Sequence, residues 1–352
     1  MFVSILIFFF IILSVFALMD TGEKKSAHTE YIYWGAVFVM FLLAALRPIG
    51  VDNDSSAYQN LFINGAQREN EVELSFEMIG NWVYNVWKEP RMLFVIYAFL
   101  SIVIKAFPIR KITKEVCVLS LLVWVCHFYL IQELTQIRAA VAGAFFLVGV
   151  VFLLSGRRWI YVLSVLCASV FHYSAFVLLF FTFLSTKELS VTWKRILFFL
   201  PLVGYMFYLI HFDPFVSLPI PYLQDKVDLY ETMRDSGMAG DEINVFSSLY
   251  LMKLVVFYFI LWKYKFIVTR RHDVSLTMKI FAVSFFCYPF FAFLPVLSFR
   301  LSEMLGIIEI LMIPTLVYAF KPRIYGRIAV ITYAVASIGL NLFYIKLFDF
   351  SM

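Results

Sequence analysis

Long apolar runs recur along the whole chain, and they constrain its fold more than any other feature. Spanning the hydrocarbon core of a bilayer takes about 20 predominantly apolar residues in one helix. Runs of this kind lie at roughly residues 2–18, 31–47, 92–107, 116–132, 139–155, 196–212, 247–265, 276–297, 301–320 and 328–346. We therefore predict an all-α integral membrane protein with about 10–11 transmembrane helices.

The composition agrees with this class. Apolar residues make up 62% of the 352 positions and charged residues 15%, whereas soluble domains are about half apolar and about a quarter charged. Because the apolar runs continue to the end of the sequence, we predict a single polytopic membrane domain over residues 1–352. The net charge of +5 does not indicate nucleic-acid binding, since the excess Lys and Arg of membrane proteins usually lies in cytoplasmic loops.

The charges of the loops predict the orientation of the chain. The stretches 105–115, 263–273 and 321–327 are basic, and the positive-inside rule assigns them to the cytoplasm. The stretches 48–91 and 213–245 are long and rich in Asp and Glu. We predict that these two are outer, extracytoplasmic loops.

Residues 158–195 carry basic residues at both ends. If this segment crossed the membrane once, the basic loop 263–273 would lie outside. We therefore predict a helical hairpin that enters from the cytoplasm and returns, with Phe171-His172-Tyr173-Ser174 at its turn. Non-helical backbone at membrane depth is tolerated only where it is buried or lines a wet cavity, so His172 becomes a candidate functional residue.

Ionisable groups near membrane depth are expensive, and four polar clusters therefore mark candidate sites. The first is RPIGVDNDSSAY, which contains Arg47, Asp52, Asp54 and Tyr58. Its alternative interpretation is a snorkelling arginine followed by a solvated acidic loop. The second is ELSFE, which begins at Glu73 and could equally be a solvated charge run.

The third cluster is QELTQIR, which joins two apolar runs. Gln132, Thr135 and Arg138 step by three and are predicted to share one helix face, with Gln136 beside them. An interface arginine that serves only as an anchor is the alternative.

The fourth cluster is Arg300 with Glu303, at the start of a late span, where a plain ion pair is the alternative. Glu309 is expected deeper in the same helix. Because an unpaired carboxylate is costly there, we expect it to meet a polar partner or to be protonated.

These residue types favour a site that handles a phosphate-bearing lipid. Arginine presents a permanent positive fork that matches phosphate. Several arginines with a histidine and carboxylates suit a departing diphosphate and a base for an incoming hydroxyl. A flippase or transporter would instead carry charges along a central pore.

In order and spacing, the chain resembles the EpsG family of exopolysaccharide assembly, which is related to Wzy O-antigen polymerases. The elements of the resemblance are, in chain order, Arg47, Gly50, Asp52 and Tyr58; Glu73 to Phe76; Ile137-Arg138-Ala139-Ala140-Val141-Ala142; and Phe171, His172, Ser174 and Ala175. The family often has glutamine after the arginine of the third element, where this chain has Ala139, and Gln136 is the candidate substitute.

The resemblance implies a GT-C-like polymerase in the bacterial inner membrane. Such a glycosyltransferase would move a growing glycan from its undecaprenyl-diphosphate carrier onto a lipid-linked repeat unit. Only the resemblance separates this polymerase from a glycan ligase, because the residues themselves fit both. Arg138 and Arg300 would hold the diphosphate with help from Arg47, and His172 or one of three carboxylates would activate the acceptor hydroxyl. Those carboxylates are Asp52, Asp54 and Glu73.

The remaining expectations concern ligands and partners. The predicted substrate-binding residues are Tyr58, Gln132, Gln136 and Glu303. No cofactor and no metal is expected, because the arginines already provide positive charge. The expected partners are an undecaprenyl-diphosphate-linked oligosaccharide, the lipid bilayer and, as a further candidate, a chain-length regulator, with no nucleic acid.

Overall fold

The fold is helical throughout the part of the chain that the computed structural model describes, which is residues 1–20, 27–52, 54–63, 73–212 and 243–348. No strand forms within these ranges, and the predicted all-α class is confirmed. The α-helices are α1 (Phe2–Met19), α2 (Ala27–Ala45), α3 (Ser55–Ile63), α4 (Leu74–Val86), α5 (Pro90–Thr113), α6 (Cys117–Val123), α7 (Ile137–Leu154), α8 (Arg158–Phe171), α9 (Val191–Leu209), α10 (Ser248–Val268), α11 (Val274–Phe290), α12 (Pro295–Gly306), α13 (Glu309–Met312) and α14 (Arg323–Gly339). Helix α6 continues in π-helical winding over Trp124–Glu133, and α14 does the same over Leu340–Tyr344. Within the described ranges, 3₁₀ segments cover Lys114–Val116, Tyr173–Phe183 and Ile313–Ala319.

Several helical segments are long and apolar enough to cross a membrane. Among the described residues these are Phe2–Met19, Ala27–Ala45, Pro90–Glu133, Ile137–Leu154 and Arg323–Tyr344. The chain is therefore a multi-pass membrane protein, as predicted. The predicted spans 196–212, 247–265 and 276–297 also form helices, namely α9, α10 and α11, and the full count of about 10–11 spans stays a prediction.

The chain divides into two compact units. The first comprises Met1–Lys187, Lys263–Thr277 and Ile307–Met352, and the second comprises Glu188–Trp262 and Met278–Gly306. The predicted outer loop 48–91 carries helices α3 and α4 of the first unit. The other predicted outer loop, 213–245, lies outside the described residues except for its last three positions.

Helix α7 packs closely in the first unit because it carries small residues at its contacts. A Cβ on Gly143 would lie 2.6 Å from Ile307 Cδ1, and one on Gly149 would lie 2.9 Å from the Tyr161 ring. Small residues let membrane helices approach each other closely. This packing holds α7, and the Arg138 near its start, firmly against α8.

The second unit is built around aromatic side chains of α9, α10 and α11. The Tyr250 ring stacks on Tyr288 with centroids 4.2 Å apart, and its hydroxyl donates to the Phe285 carbonyl at 2.6 Å. Gly204 of α9 lies against α11, since a Cβ there would be 2.7 Å from the Phe286 carbonyl oxygen. These contacts fix α9 and α10 on α11.

The chain folds back on itself after α8, as the predicted hairpin requires. Helix α8 ends at Phe171, and the chain returns as the 3₁₀ segment Tyr173–Phe183. The Tyr161 hydroxyl donates to the Leu178 carbonyl at 2.6 Å, which ties the two arms together. His172 lies at the turn, as expected. That the hairpin enters from the cytoplasm and returns to it without crossing the membrane stays a prediction.

The predicted span 301–320 is wrong as a single helix. It divides into α12, the short α13 and the 3₁₀ segment Ile313–Ala319. Pro314 explains why α13 gives way to the 3₁₀ segment, because proline has no N–H to continue the α-helical hydrogen bonds. Glu309 therefore opens α13 and does not share a helix with Arg300. Its polar partner is present, since the Tyr333 hydroxyl donates to Glu309 Oε1 at 2.7 Å.

Two basic residues in the stretches predicted as cytoplasmic loops are buried in the protein and not exposed to solvent. Lys105 lies within α5, fully buried, and pairs with Glu133. Arg271 is buried and binds Asp273 through two contacts of 2.7 Å. The positive-inside rule counts charges along the sequence, so it does not distinguish a lysine in a loop from one that meets a buried carboxylate.

We expect Gly326→Ala to destabilise the first unit by about 1–3 kcal/mol through overpacking. A Cβ there would lie 2.5 Å from Val317 Cα and 2.8 Å from the Leu316 carbonyl oxygen, which are backbone atoms that cannot rotate away. Gly339→Ala on the same helix is the matched control, because a Cβ on Gly339 would have no atom within 4 Å among the described residues. Thermal unfolding in detergent measures both, and equal midpoints would contradict the packing argument.

Candidate functional site

The Glu73 carboxylate joins two of the predicted site residues. Its Oε2 pairs with Arg138 Nη1, and its Oε1 lies 3.0 Å from His172 Nδ1. These partners are 65 and 99 residues away along the chain. The three side chains therefore form one cluster, which we call the Glu73 cluster.

Glu73 is placed by the start of α4. It is the residue before the first helical turn, and its backbone is extended with φ −66° and ψ 146°. Its carbonyl accepts from Phe76 N at 2.9 Å, so the backbone begins the helix while the side chain extends away from it. Glu73 is buried, whereas Glu77 one turn later is exposed. The second polar cluster is thus not simply a solvated charge run.

Arg138 is placed by a break in the helical path. The π-helical segment ends at Glu133, and α7 begins at Ile137, so Arg138 lies in its first turn. The guanidinium lies 5.5 Å from the centroid of the Tyr58 ring and 5.6 Å from that of Phe76. Cations are attracted to aromatic faces at such distances. The Arg138 side chain is 20% exposed, so a ligand can reach it.

His172 is placed by the turn of the hairpin. Its backbone is extended, with φ −154° and ψ 113°, between the end of α8 and the 3₁₀ segment. The neighbouring Phe171 stacks on Phe145 and meets Tyr97 edge-on, with centroids 5.8 and 6.2 Å apart. This packing anchors the turn and presents the imidazole to Glu73.

Tyr58 forms the aromatic support under Arg138. Its ring lies 5.7 Å from Phe76 and 6.4 Å from Phe94, and it is buried. Burial raises the pKa of the Tyr58 hydroxyl above its usual value, and the Arg138 charge opposes that shift. The hydroxyl therefore stays neutral at physiological pH and can act only as a neutral hydrogen-bonding group.

Arg47 and Asp52 form a buried pair beside this support. Arg47 Nε lies 3.2 Å from Asp52 Oδ2, and the guanidinium lies 4.5 Å from the Phe94 ring. Asp52 Oδ1 also accepts from the backbone N–H groups of Asp54 and Ser55, at 3.1 and 2.9 Å, and so caps α3. Arg47 is only 3% exposed. The pair therefore holds α3 and its Tyr58 in place. That Arg47 also assists in holding a diphosphate stays a prediction.

The third polar cluster is divided between two places. Gln132 is buried, and its Oε1 accepts from Lys105 Nζ at 3.0 Å. The prediction that Gln132, Thr135 and Arg138 share a helix face is wrong, because the helix is interrupted between Glu133 and Ile137. Gln136 is exposed and immediately precedes α7. Gln132 thus belongs to a buried polar group around Lys105 and not to the Glu73 cluster.

Lys105 is not among the predicted site residues, yet it lies at the centre of this buried group. A usable signal exists, because this lysine lies inside the apolar run SIVIKAF, where an ionisable residue marks a buried partner. Trp124 Nε1 donates to the Glu133 carboxylate at 3.1 Å and completes the group. The result is a polar core of Lys105, Trp124, Gln132 and Glu133.

The fourth polar cluster belongs to the second unit. Arg300 is exposed on α12, and Glu303 is partly buried. Asp54 in the first unit is partly exposed. Their predicted roles in binding and catalysis stay predictions.

No group of three or more His, Cys, Asp or Glu side chains suited to a metal ion occurs within residues 1–20, 27–52, 54–63, 73–212 and 243–348. The Glu73 cluster instead offers a permanent cation and an imidazole oriented by a carboxylate. A histidine whose Nδ1–H donates to a carboxylate keeps its Nε2 lone pair for a proton. An arginine beside it can compensate a leaving anion.

The fold and this cluster define a multi-pass membrane protein in which an arginine, a glutamate and a histidine meet at a partly exposed position. A family model for the EpsG family matches residues 30–351, nearly the whole chain. The chain therefore belongs to the EpsG family, and the resemblance inferred from its motifs is confirmed. EpsG is a Wzy-type polymerase-like family, which supports a polysaccharide polymerase-like role. No curated protein and no solved structure matches the chain.

Proposed function

We propose that the chain is a polysaccharide polymerase of the bacterial inner membrane. It transfers a growing glycan from an undecaprenyl-diphosphate carrier onto a lipid-linked oligosaccharide repeat unit at the outer face of the membrane. Family membership supports the polymerase-like part of this proposal. The observation that carries the rest is that one carboxylate, Glu73, holds both an arginine and a histidine.

The donor half of the reaction needs compensation of negative charge. The bond between the anomeric carbon and the diphosphate oxygen breaks, and the diphosphate leaves with the bonding electrons. Arg138 is suited to this step because its guanidinium is always protonated and has several N–H donors in a planar fork. The Glu73 carboxylate occupies only part of that fork, and the partial exposure of Arg138 lets a diphosphate reach it.

The acceptor half needs a base for a sugar hydroxyl. With Nδ1–H donated to Glu73, the His172 ring accepts the hydroxyl proton at Nε2 while the hydroxyl oxygen bonds to the anomeric carbon. Glu73 keeps the imidazole in this tautomer and stabilises the imidazolium that forms. Among the candidate bases, this geometry favours His172 over Asp52, since Asp52 is already engaged by Arg47 and α3.

The other predicted residues have supporting roles in the proposal. Tyr58 supports the Arg138 guanidinium, and the Arg47–Asp52 pair positions Tyr58. The roles predicted for Arg300 in holding the diphosphate and for Glu303 in substrate binding stay predictions, since both residues belong to the second unit. Gln136 and Asp54 are proposed to contact the sugar.

The test is a polysaccharide ladder gel of the source strain, a deletion strain, and the deletion complemented with wild type or Arg138→Ala. We expect the deletion and Arg138→Ala strains to lose the ladder and keep a single-repeat product. The expected loss of polymer is about 100-fold, which is typical when one hydrogen-bond donor to the negative charge of a transition state is removed. An unchanged ladder in the deletion would exclude the polymerase function, and loss of the single-repeat product as well would indicate export or ligation.

Arg110→Ala is the matched control for this experiment. Arg110 also forms an arginine–glutamate pair, with Glu30, and its side chain is 22% exposed, close to the value for Arg138. It lies outside the Glu73 cluster, so its loss should leave the ladder intact. Membrane levels of each variant are measured by immunoblot, and a ladder lost equally in both variants would contradict a specific role for Arg138.

A further inference from the structure

The second unit has an open groove between α9 and α10 that the proposed polymerase chemistry does not use. Its volume is about 410 Å³, and most of its lining is apolar. The residues that matter for recognition are Lys194, Arg195, Phe198, Phe199, Tyr258 and Trp262. All of them belong to the second unit.

The charges of the groove gather at one end. Helix α9 begins at Val191, so Lys194 and Arg195 lie in its first turns and Phe198 and Phe199 follow one turn later. Arg195 is exposed and Lys194 is partly exposed. An elongated molecule in this groove would therefore meet cations at one end and aromatic rings along the rest.

The aromatic part of the groove is built by contacts between the two helices. The Tyr258 hydroxyl of α10 donates to the Phe198 carbonyl of α9 at 2.9 Å, and the two rings lie 5.4 Å apart. Trp262 forms the outer wall and is 72% exposed. Tryptophan is enriched at the boundary between lipid and water.

We propose that this groove binds an anionic glycerophospholipid of the bilayer. The lipid phosphate is held by Arg195 and Lys194, and an acyl chain lies against Phe198, Phe199 and Trp262. Guanidinium and ammonium groups bind phosphate by charge-assisted hydrogen bonds. Basic pockets between membrane helices on the cytoplasmic side bind anionic head groups by this chemistry.

The predicted orientation favours a phospholipid over a lipid-linked glycan as the occupant. Lys187, Lys194 and Arg195 mark this end of α9 as cytoplasmic by the positive-inside rule. Anionic phospholipids are abundant in the cytoplasmic leaflet. The lipid-linked glycan of the proposed function is used at the outer face, so it is not the expected ligand of this groove.

The test measures lipid binding to the full chain purified in detergent. Phosphatidylglycerol and phosphatidylcholine with identical oleoyl chains are titrated, and bound lipid is counted by native mass spectrometry. We expect phosphatidylglycerol to bind the wild type at least about tenfold more tightly than phosphatidylcholine. Both lipids carry the phosphate, but the choline cation cancels its charge and is repelled by Lys194 and Arg195. The Lys194→Ala/Arg195→Ala variant should lose this preference, and Lys187→Ala, which removes a basic residue outside the groove lining, should keep it.

Other outcomes would overturn the proposal. Equal binding of the two lipids by the wild type, or a preference that survives in the double variant, would show that the groove does not select anionic phospholipid. Undecaprenyl phosphate is titrated as a third lipid. If it displaces phosphatidylglycerol from the wild type, the groove binds the carrier lipid instead. If the double variant aggregates, Arg195→Gln provides the same comparison, with size-exclusion chromatography as the check on folding.

Discussion

Replacing Lys105 with methionine is expected to destabilise the protein by about 3–5 kcal/mol, because it leaves Glu133 buried without its cation. Both side chains of this pair are 0% exposed. Methionine has nearly the length of lysine, so the substitution removes the charge without opening a cavity. Thermal unfolding in detergent, followed by the fraction that stays monodisperse, measures the loss.

The second substitution that tests this pair is Glu133→Gln in the Lys105→Met background. We expect the double variant to recover much of the lost stability, because glutamine is neutral and its oxygen still accepts from Trp124 Nε1. A double variant that is less stable than Lys105→Met alone would show that the carboxylate does not depend on Lys105. Ladder gels of the same strains would show whether this polar core affects the Glu73 cluster.

Removing the Glu73 carboxylate should abolish polymerisation about as completely as removing Arg138. Glu73→Ala deprives His172 of its orienting acceptor and Arg138 of its anion, and loss of an oriented base lowers rates by about 100-fold or more. Residues that act as one unit are strongly non-additive. The Glu73→Ala/His172→Ala double variant is therefore expected to be no worse than either single variant.

Turnover with lipid-linked repeat units in membranes measures these variants. Glu77→Ala is the control, because Glu77 lies one turn further along α4 and is exposed. It should retain wild-type turnover. Additive losses in the double variant would mean that Glu73 and His172 act independently, and full activity of Glu73→Ala would exclude the proposed cluster.

Much of this fold follows from hydropathy and charge. The apolar runs predict where most helices lie, and the basic residues flanking 158–195 predict the hairpin, with His172 at its turn. Hydropathy does not predict how a run is wound. Pro314 divides the late run into short pieces. The break after Glu133 similarly separates Gln132 from Arg138.

The candidate site follows from the sequence only in part. The order of motifs predicts Arg138, His172 and Glu73 as separate candidates. No local sequence pattern predicts that Glu73 contacts the other two. Contacts across 65 and 99 residues depend on how whole helices pack. The same reason hides the Lys105–Glu133 pair, because a lysine next to a basic loop looks like part of that loop.

The sharing of Glu73 has a consequence for product release under the proposed function. In the structure, the Arg138 charge is already neutralised by a carboxylate that belongs to the protein. A departing diphosphate therefore leaves no uncompensated cation behind in a mostly buried site, since Glu73 stays paired with Arg138. Glu73 also competes with any incoming anion for the same guanidinium. A diphosphate, with more charge and more acceptor oxygens than a carboxylate, can win this competition more readily than a singly charged ligand. Between turnovers the Glu73 carboxylate therefore stands where a ligand anion would bind. The site then favours ligands that carry more negative charge than one carboxylate.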